Sequence, residues 1–244
     1  MTRLYHISDV HFGREDRHAI DRFAEIVRSE RPDAVVVTGD LTTLARRSEF
    51  ESAARWLNAL EVPVTLDVGN HDLPVFNPFA RVLSPYRRFD RLVLTLPRPV
   101  LPGVSLVSLK TTARVQARTN WAHGCVQRER LTQTVATLRD APAENVKIVT
   151  CHHPLFDTGL VRHDGLTRNG VTALAALADA GADIVLSGHV HDPFDFVWNG
   201  GTKPLRLVGA GTLSDRQRQT APSFNQIDID GRMVHAKVRI FSPD

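Results

Sequence analysis

Five short apolar runs in this chain each end in a cluster of carboxylate, carboxamide or imidazole side chains, and that repetition restricts its possible folds more than any other feature. Residues 4–8 run into Asp9-Val10-His11. Residues 34–38 run into Gly39-Asp40, and 62–68 into Gly69-Asn70-His71-Asp72. Residues 146–150 lead to Cys151-His152-His153-Pro154, and 184–186 to Gly188-His189-Val190-His191. Runs this short, flanked by turn residues, have the size of buried strands. In an open α/β sheet the carboxyl ends of the strands line the binding crevice. Groups spread from Asp9 to His191 should therefore converge. The glycines directly before Asp40, Asn70 and His189 fit sharp turns where backbone approaches a ligand closely.

The intervals between these runs carry helical periodicity. Residues 16–30 place Ile20, Phe23, Ile26 and Val27 on one face, and Arg31-Pro32 closes the segment. Phe50, Ala54, Trp56, Leu57 and Leu60 make a second amphipathic helix. Two strand–helix–strand units follow, which predicts a mostly parallel sheet with right-handed crossovers. Farther along, 104–109 reads as a strand, and 128–138 and 171–180 as helices. Residues 77–90, interrupted by Pro78 and Pro85, read as a helical turn or a loop. Beyond Phe194 the pattern changes to short runs at 194–198, 205–208, 224–229 and 234–240, with Asp230-Gly231 as a hairpin signal. This tail is expected to be antiparallel and to finish a sheet. No repeat and no long polar linker divides residues 1–244, so one domain is expected.

The donor set has its own chemistry. Two carboxylates, a carboxamide and several imidazoles suit borderline-to-hard divalent metals such as Mn, Fe, Zn or Co. The chain has only 2 cysteines, too few for a disulfide framework or a four-thiolate zinc site, which leaves oxygen and imidazole as the donors. There are too many ligands for one tetrahedral zinc. Two ions about 3.5–4 Å apart, bridged by a carboxylate and a hydroxide, would use them all. Asp40 is the candidate bridge, its short side chain holding one oxygen against both ions.

These motifs, in this order, resemble those of the calcineurin-like metallophosphoesterase superfamily, and the match runs from Asp9 to His191. The resemblance implies a four-layer αββα sandwich, two mixed β-sheets flanked by helices, with a dimetal site at the carboxyl ends of the strands. It also implies that Asp9, His11, Asp40 and His191 hold one ion, and that Asp40, Asn70, His152 and His189 hold the other. His152 and His153 are adjacent, and His152, nearer the strand, aligns with the family's ligand. His71 would bind no metal but would contact the phosphoryl group and protonate the leaving oxygen, while Asn70 and the ions stabilise the equatorial oxygens. A metal-bridging hydroxide would attack phosphorus in line. Asp72 is expected to orient its neighbours from behind the ligands.

The remaining groups read as background. Of the 11 histidines, His6, His18, His123, His163 and His235 fall outside the five clusters, and a structural or surface role is the simpler reading for each. His123 and His163 are the two best placed for substrate contact. Arg114, Arg118, Arg128 and Arg130 read as a solvated face. Arg87-Arg88, closer to the Asn70 turn, is the better pair for a phosphate or leaving group. Cys125 and Cys151 read as inert. Phe76, Phe79 and Val82 read as core, the alternative being an acyl-binding surface.

Within the superfamily the chain is similar to compact bacterial phosphodiesterases of the cyclic-nucleotide or glycerophosphodiester kind. Protein serine/threonine phosphatases carry a longer arginine-bearing motif after Gly-Asp, from which Gly39-Asp40-Leu41-Thr42-Thr43 departs. A nucleotide-sugar lipid pyrophosphohydrolase is the alternative enzyme. A non-catalytic scaffold is the alternative from another class, because the same fold serves as a retromer subunit. A net charge of +3 gives no nucleic-acid footprint. The opening residues lack a signal peptide's apolar run, and no apolar stretch approaches membrane-spanning length. The expectation is a cytoplasmic enzyme with a small phosphoester substrate and two divalent ions, and a homodimer is compatible with it.

Overall fold

A computed structural model of the chain describes residues 1–75, 77–113, 122–157, 159 and 166–241. The five apolar runs are strands: β1 (Thr2–Ile7), β2 (Ala34–Thr38), β3 (Val64–Asp67), β5 (Val146–Thr150) and β6 (Ile184–Ser187), with β4 (Val104–Ser108) between the third and fourth. Helix α1 (Arg17–Glu30) connects β1 to β2, and α2 (Arg47–Asn58) connects β2 to β3. The Asp16 side chain accepts the Ala19 N–H at 3.1 Å and so starts α1. Arg31, left-handed at φ 48°, ends it before Pro32.

Residues 77–90, ambiguous in the sequence, form two short helices, α3 (Pro78–Leu83) and α4 (Arg87–Val93). Asn77 caps the first, accepting the Ala80 N–H at 2.8 Å, with Pro78 in the first turn where its missing N–H costs nothing. Helices α5 (Arg128–Asp140) and α6 (Gly170–Asp179) flank β5, and β7 (Phe194–Trp198), β8 (Leu205–Gly209), β9 (Ser223–Asp230) and β10 (Met233–Ile240) complete the fold.

The strands form two five-stranded sheets, in the orders β10-β9-β1-β2-β3 and β4-β5-β6-β8-β7. The expected parallel β1-β2-β3 order is present, with Leu4 opposite Ala34 and Val35 opposite Val64. The tail departs from expectation in two ways. It divides between both sheets instead of finishing one, and β8 lies parallel to β6. Among the named strands, the antiparallel pairs are β7–β8, β9–β10 and β1–β9.

Alternation along the strands sorts side chains into three apolar layers. Tyr5, Ile7, Val35 and Val37 face α1 and α2, against Phe23, Val27, Phe50 and Leu57. Leu4, Val36, Ile148, Leu186 and Ile227 meet between the sheets. Val149, Val185 and Leu207 face α5 and α6, against Leu138, Leu174 and Leu177. Each such aliphatic side chain, fully buried, contributes roughly 1.5–3 kcal/mol to stability. Helix, sheet, sheet and helix are thus stacked as the four-layer αββα sandwich. His6 lies on the inter-sheet face of β1 and is fully buried. It meets the Thr38 hydroxyl at 3.0 Å and the Asn225 carboxamide at 3.2 Å, so its structural reading has a concrete form.

Candidate metal centre

The turns after β1, β2, β3, β5 and β6 come together at one edge of the sandwich. The first two are zipped to each other: the Asp9 N–H donates to the Gly39 carbonyl and the His11 N–H to the Asp40 carbonyl, both at 3.0 Å. The turns of the second sheet are tied similarly, with the Gly188 N–H on the His152 carbonyl at 2.9 Å. The two sheets meet where the His189 N–H donates to Asp9 Oδ2 at 2.8 Å.

Five of the candidate ligands, Asp9, His11, Asp40, His189 and His191, have positive φ, between 49° and 71°. Non-glycine residues seldom adopt this region, and where they do, it is a form of strain that gathers at working sites. The preceding glycines explain how the turns stay compact. A Cβ on Gly69 would lie 2.0 Å from Asp40 Oδ1, and one on Gly39, itself at φ +94°, 2.6 Å from His152 Nδ1.

Two groups of lone pairs face inward. In the first, His191 Nε2 lies 3.2 Å from Asp9 Oδ1 and 3.3 Å from His11 Nε2. His191 Nδ1 is 2.7 Å from the Arg216 carbonyl and must donate to it, which leaves Nε2 as the lone-pair nitrogen. In the second, His152 Nε2 lies 3.3 Å from Asp40 Oδ2 and 3.1 Å from Asn70 Oδ1. Its Nδ1 donates to the Thr38 carbonyl at 2.8 Å, so here too a lone pair points at oxygens. Asp40 Oδ2 stands between the groups, 3.9 Å from His11 Nε2.

Acceptors aimed at acceptors in a buried space are satisfied by a shared proton or by a bound cation. Burial alone would raise the Asp40 and Asp9 carboxyls. His152 beside Asp40, and His191 beside Asp9, instead hold them well below the ordinary carboxylate range. His152 itself, despite burial, is pushed up to about 10 by Asp40. Burial and the neighbouring His152 take His189 down to about 3. Asp9 Oδ1 and His11 Nδ1 are buried with no hydrogen-bond partner among the described residues. His and Asp side chains here are positioned to hold metal: Asp9–His11–His191, Asp9–Asp40–His152 and His11–Asp40–His71 each bring their donor atoms within 4.8 Å of one another. An oxygen and imidazole donor set with orphaned inward-facing atoms fits divalent ions.

His71 sits at the mouth. Its N–H donates to Asp40 Oδ1 at 2.8 Å, its Nδ1 is fixed on the Thr43 carbonyl at 2.8 Å, and its Nε2 lies 3.1 Å from Arg216 Nη1. His153 groups with His152 and His189 by distance, yet both of its nitrogens are committed. Nδ1 takes the Thr111 hydroxyl at 2.9 Å and Nε2 donates to the Ala122 carbonyl at 2.8 Å. Asp72 is buried behind the ligands and accepts backbone N–H groups from Gly69, Leu41 and Thr42.

The other residues singled out in the sequence are scattered. Arg88 donates to the Ala45 carbonyl at 2.7 Å and, with Arg87, lines a cleft of about 620 Å³ shared with Asp72 and Ala45. Arg128 and Arg130 are exposed at the start of α5, and His18 and His235 are exposed on α1 and β10. His123 is half-buried. Cys151 is buried and Cys125 half-buried, both as free thiols. Arg114, Arg118, His163 and Phe76 lie outside the described residues. The core reading of Phe79 and Val82 does not hold, because they are 79% and 51% exposed. A six-residue helix held at the edge of the fold leaves one flank uncovered. Arg216, which reaches the site from beyond β8, belongs to none of the strand-end motifs.

Comparison with known proteins places this geometry in context. The family model described as calcineurin-like phosphoesterase matches residues 2–193. The glycerophosphodiester phosphodiesterase GpdQ of Enterobacter lignolyticus is 29% identical over 204 residues, 78% of this chain and 70% of that protein. A probable cyclic nucleotide phosphodiesterase of Rhodopseudomonas palustris is 28% identical, over 80% of this chain and 73% of its own. Among solved structures, a dimetal phosphatase from Danio rerio superposes with a TM-score of 0.68 at 16% identity, over 99% of both chains, which is a likeness of fold.

Proposed function

The chain belongs to the calcineurin-like phosphoesterase family and is on that ground a phosphoric ester hydrolase, and from this premise we propose a dimetal-dependent phosphodiesterase acting on small phosphodiesters of the cyclic-nucleotide or glycerophosphodiester kind. The observation that carries the reading is the position of Asp40 Oδ2, between the lone-pair group of Asp9, His11 and His191 and that of His152 and Asn70. The glycerophosphodiester and cyclic-nucleotide activities for which the two bacterial relatives are named support the diester.

In this reading Asp9, His11, Asp40 and His191 hold one ion, and Asp40, Asn70, His152 and His189 the other. Two divalent ions held there supply Lewis acidity and a water acidic enough to serve as nucleophile near neutral pH. The protein's own groups do the rest. Thr38 and Arg216 carbonyls fix the tautomers of His152 and His191, so that each presents a lone pair inward. Asn70 lies against the equatorial phosphoryl oxygens. His71, anchored through Nδ1, turns Nε2 to the mouth, where it would contact the phosphoryl group and, after taking a proton from solvent, pass that proton to the departing oxygen.

A second enzyme reading has its own observation. Phe79, Val82 and Leu83 are exposed on α3, Leu83 at 78%, and would suit the lipid portion of a nucleotide-sugar pyrophosphate. A panel of cyclic AMP, glycerophosphodiesters, a lipid-linked pyrophosphate and phosphomonoesters, assayed with added Mn²⁺, separates the two. Absence of turnover on the whole panel, and on bis(p-nitrophenyl) phosphate, with both ions bound would favour a scaffold instead. A single domain, supported by the return of β9 from the second sheet to β1, belongs to the same proposal, as do a cytoplasmic setting and a homodimer. No helix among the described residues is long and apolar enough to cross a membrane. Cell fractionation and sedimentation test location and assembly.

A further inference from the structure

Arg216 is built into the centre by its backbone and aimed back across it by its side chain. Its carbonyl takes the His191 Nδ1–H at 2.7 Å, and its N–H donates to Ser214 Oγ at 3.3 Å. Ser214 Oγ lies 2.7 Å from Thr212 Oγ1, and the Thr212 hydroxyl donates to the Asp9 carbonyl at 2.7 Å. Next in the chain, Asp215 takes Arg14 Nε at 2.8 Å and returns its own N–H to the Arg14 carbonyl at 3.0 Å. The segment from Thr212 to Arg216 is therefore tied to both sheets through residues of the centre itself.

From that fixed backbone the Arg216 guanidinium reaches the mouth. Nη1 lies 3.1 Å from His71 Nε2 and 3.4 Å from His11 Nε2. A guanidinium only donates hydrogen bonds and keeps its charge at any ordinary pH. Both of its side-chain contacts among the described residues are imidazole nitrogens, and neither is a carboxylate. A permanent cation is thus held against two lone pairs, one belonging to a candidate metal ligand, with no carboxylate among its hydrogen-bond partners in the described residues. A metal ion on His11 needs the lone pair that Nη1 faces, so the two cations compete for it. An anionic oxygen brought to the mouth would satisfy the guanidinium in a way that no described protein group does.

We propose that Arg216 is a substrate-binding residue that grips a non-bridging phosphoryl oxygen of the ester at the mouth, beside His71 and His11. The proposal rests on the phosphoesterase reading for the identity of the anion. The planar donor fork of arginine matches phosphate oxygens, whereas lysine offers a point charge. One side chain then has two opposed effects: it weakens the first metal ion and strengthens the anion.

Calorimetry on wild type, Arg216→Ala and Arg216→Lys tests this, using Mn²⁺ on metal-free protein and inorganic phosphate on Mn²⁺-loaded protein. Arg216→Ala should bind phosphate about ten- to a hundredfold more weakly, the scale of a lost charge-assisted hydrogen bond. It should bind Mn²⁺ more tightly, by about two- to tenfold, as expected for removing a partly screened like charge. Arg216→Lys should keep most of the Mn²⁺ effect of wild type and recover only part of the phosphate affinity. Opposite signs in the alanine variant support the proposal. Loss of both affinities together would make Arg216 a structural support for His191 and overturn it, as would unchanged phosphate affinity or no phosphate binding by loaded wild type. Turnover of bis(p-nitrophenyl) phosphate by wild type is read separately: if it is absent while the opposite signs persist, the phosphodiesterase reading fails and Arg216 stands as an anion-binding residue.

Discussion

The Asp72 carboxylate is closed onto Thr42, with Oδ1 receiving both the backbone N–H at 2.8 Å and the hydroxyl at 3.0 Å of that residue. Its other oxygen takes the Gly69 N–H at 2.9 Å. The turn that carries Asn70 and His71 is thereby fastened to the turn that carries Asp40. Asp72→Asn puts an NH₂ group where one of these acceptors stood. We expect Mn²⁺ affinity to fall about 10- to 100-fold, as for other groups that orient ligands. Stability should fall by about 1–3 kcal/mol from the unsatisfied donors. Mn²⁺ titration and thermal melts measure both, and an unchanged metal affinity would remove Asp72 from the support of the site.

Asp40 and His71 should separate metal binding from chemistry. Asp40→Asn replaces the oxygen between the two lone-pair groups and should lose both metal and turnover. His71→Ala removes a side chain that holds no ion in our reading, so metal should remain while kcat falls by about 10²–10⁴. Elemental analysis beside kinetics decides this, and loss of metal from His71→Ala would reassign that residue as a ligand. Metal-replete wild type should contain two ions per chain, and one or none would overturn the dimetal reading.

The adjacent histidines make a controlled pair. His152 presents Nε2 to Asp40 and Asn70, whereas His153 has both nitrogens spent on Thr111 and Ala122. His152→Ala should abolish binding of at least one ion. His153→Ala should keep the ions and lower the melting temperature, because it removes the ring's hydrogen bonds to the Thr111 hydroxyl and the Ala122 carbonyl. A reversed pattern would exchange the two assignments.

His6 predicts a specific acid sensitivity. Burial drives its pKa down to about 3 in the folded chain, against about 6.5 when exposed. Below pH 6.5 the unfolded chain takes up a proton that the folded chain refuses, so stability is complete above that pH and is lost as pH falls towards 3. The loss from this residue amounts to roughly 3 kcal/mol by pH 4, at 1.36 kcal/mol per unit. His6→Gln should show a shallower fall of melting temperature between pH 6.5 and 4 than wild type. Parallel slopes would show that His6 does not titrate on unfolding.

The strand-end clusters are readable because each ligand is placed by local chain geometry, two to four residues beyond a strand. The same logic stops at Arg216. Its strand, β8, ends at Gly209, and the side chain returns to the site only after a longer excursion, set by Thr212 and Ser214. Sequence periodicity also could not tell that β8 would insert beside β6 in parallel, since a buried apolar run carries no sign of direction. Phe79 and Val82 have core-like spacing, but spacing reports which residues share a face and not whether anything covers it. For the His152–His153 pair the residue types alone are equivalent; the family resemblance favours His152, and the partners of each nitrogen give that choice its physical basis.

The candidate ligands come from both halves of the sandwich, and His11 and His191, 180 positions apart, have their Nε2 atoms 3.3 Å from each other. An ion held between them acts as a reversible cross-link. It closes a loop of most of the chain, and a constraint on so long a loop removes much of the freedom of the unfolded state. Chelation would then do more than silence chemistry: it would unfasten one sheet from the other at the edge where like-charged and strained residues are gathered. Ions in such an arrangement would be mechanical fasteners as well as reagents, and the supply of metal would then bear on the protein's lifetime along with its activity.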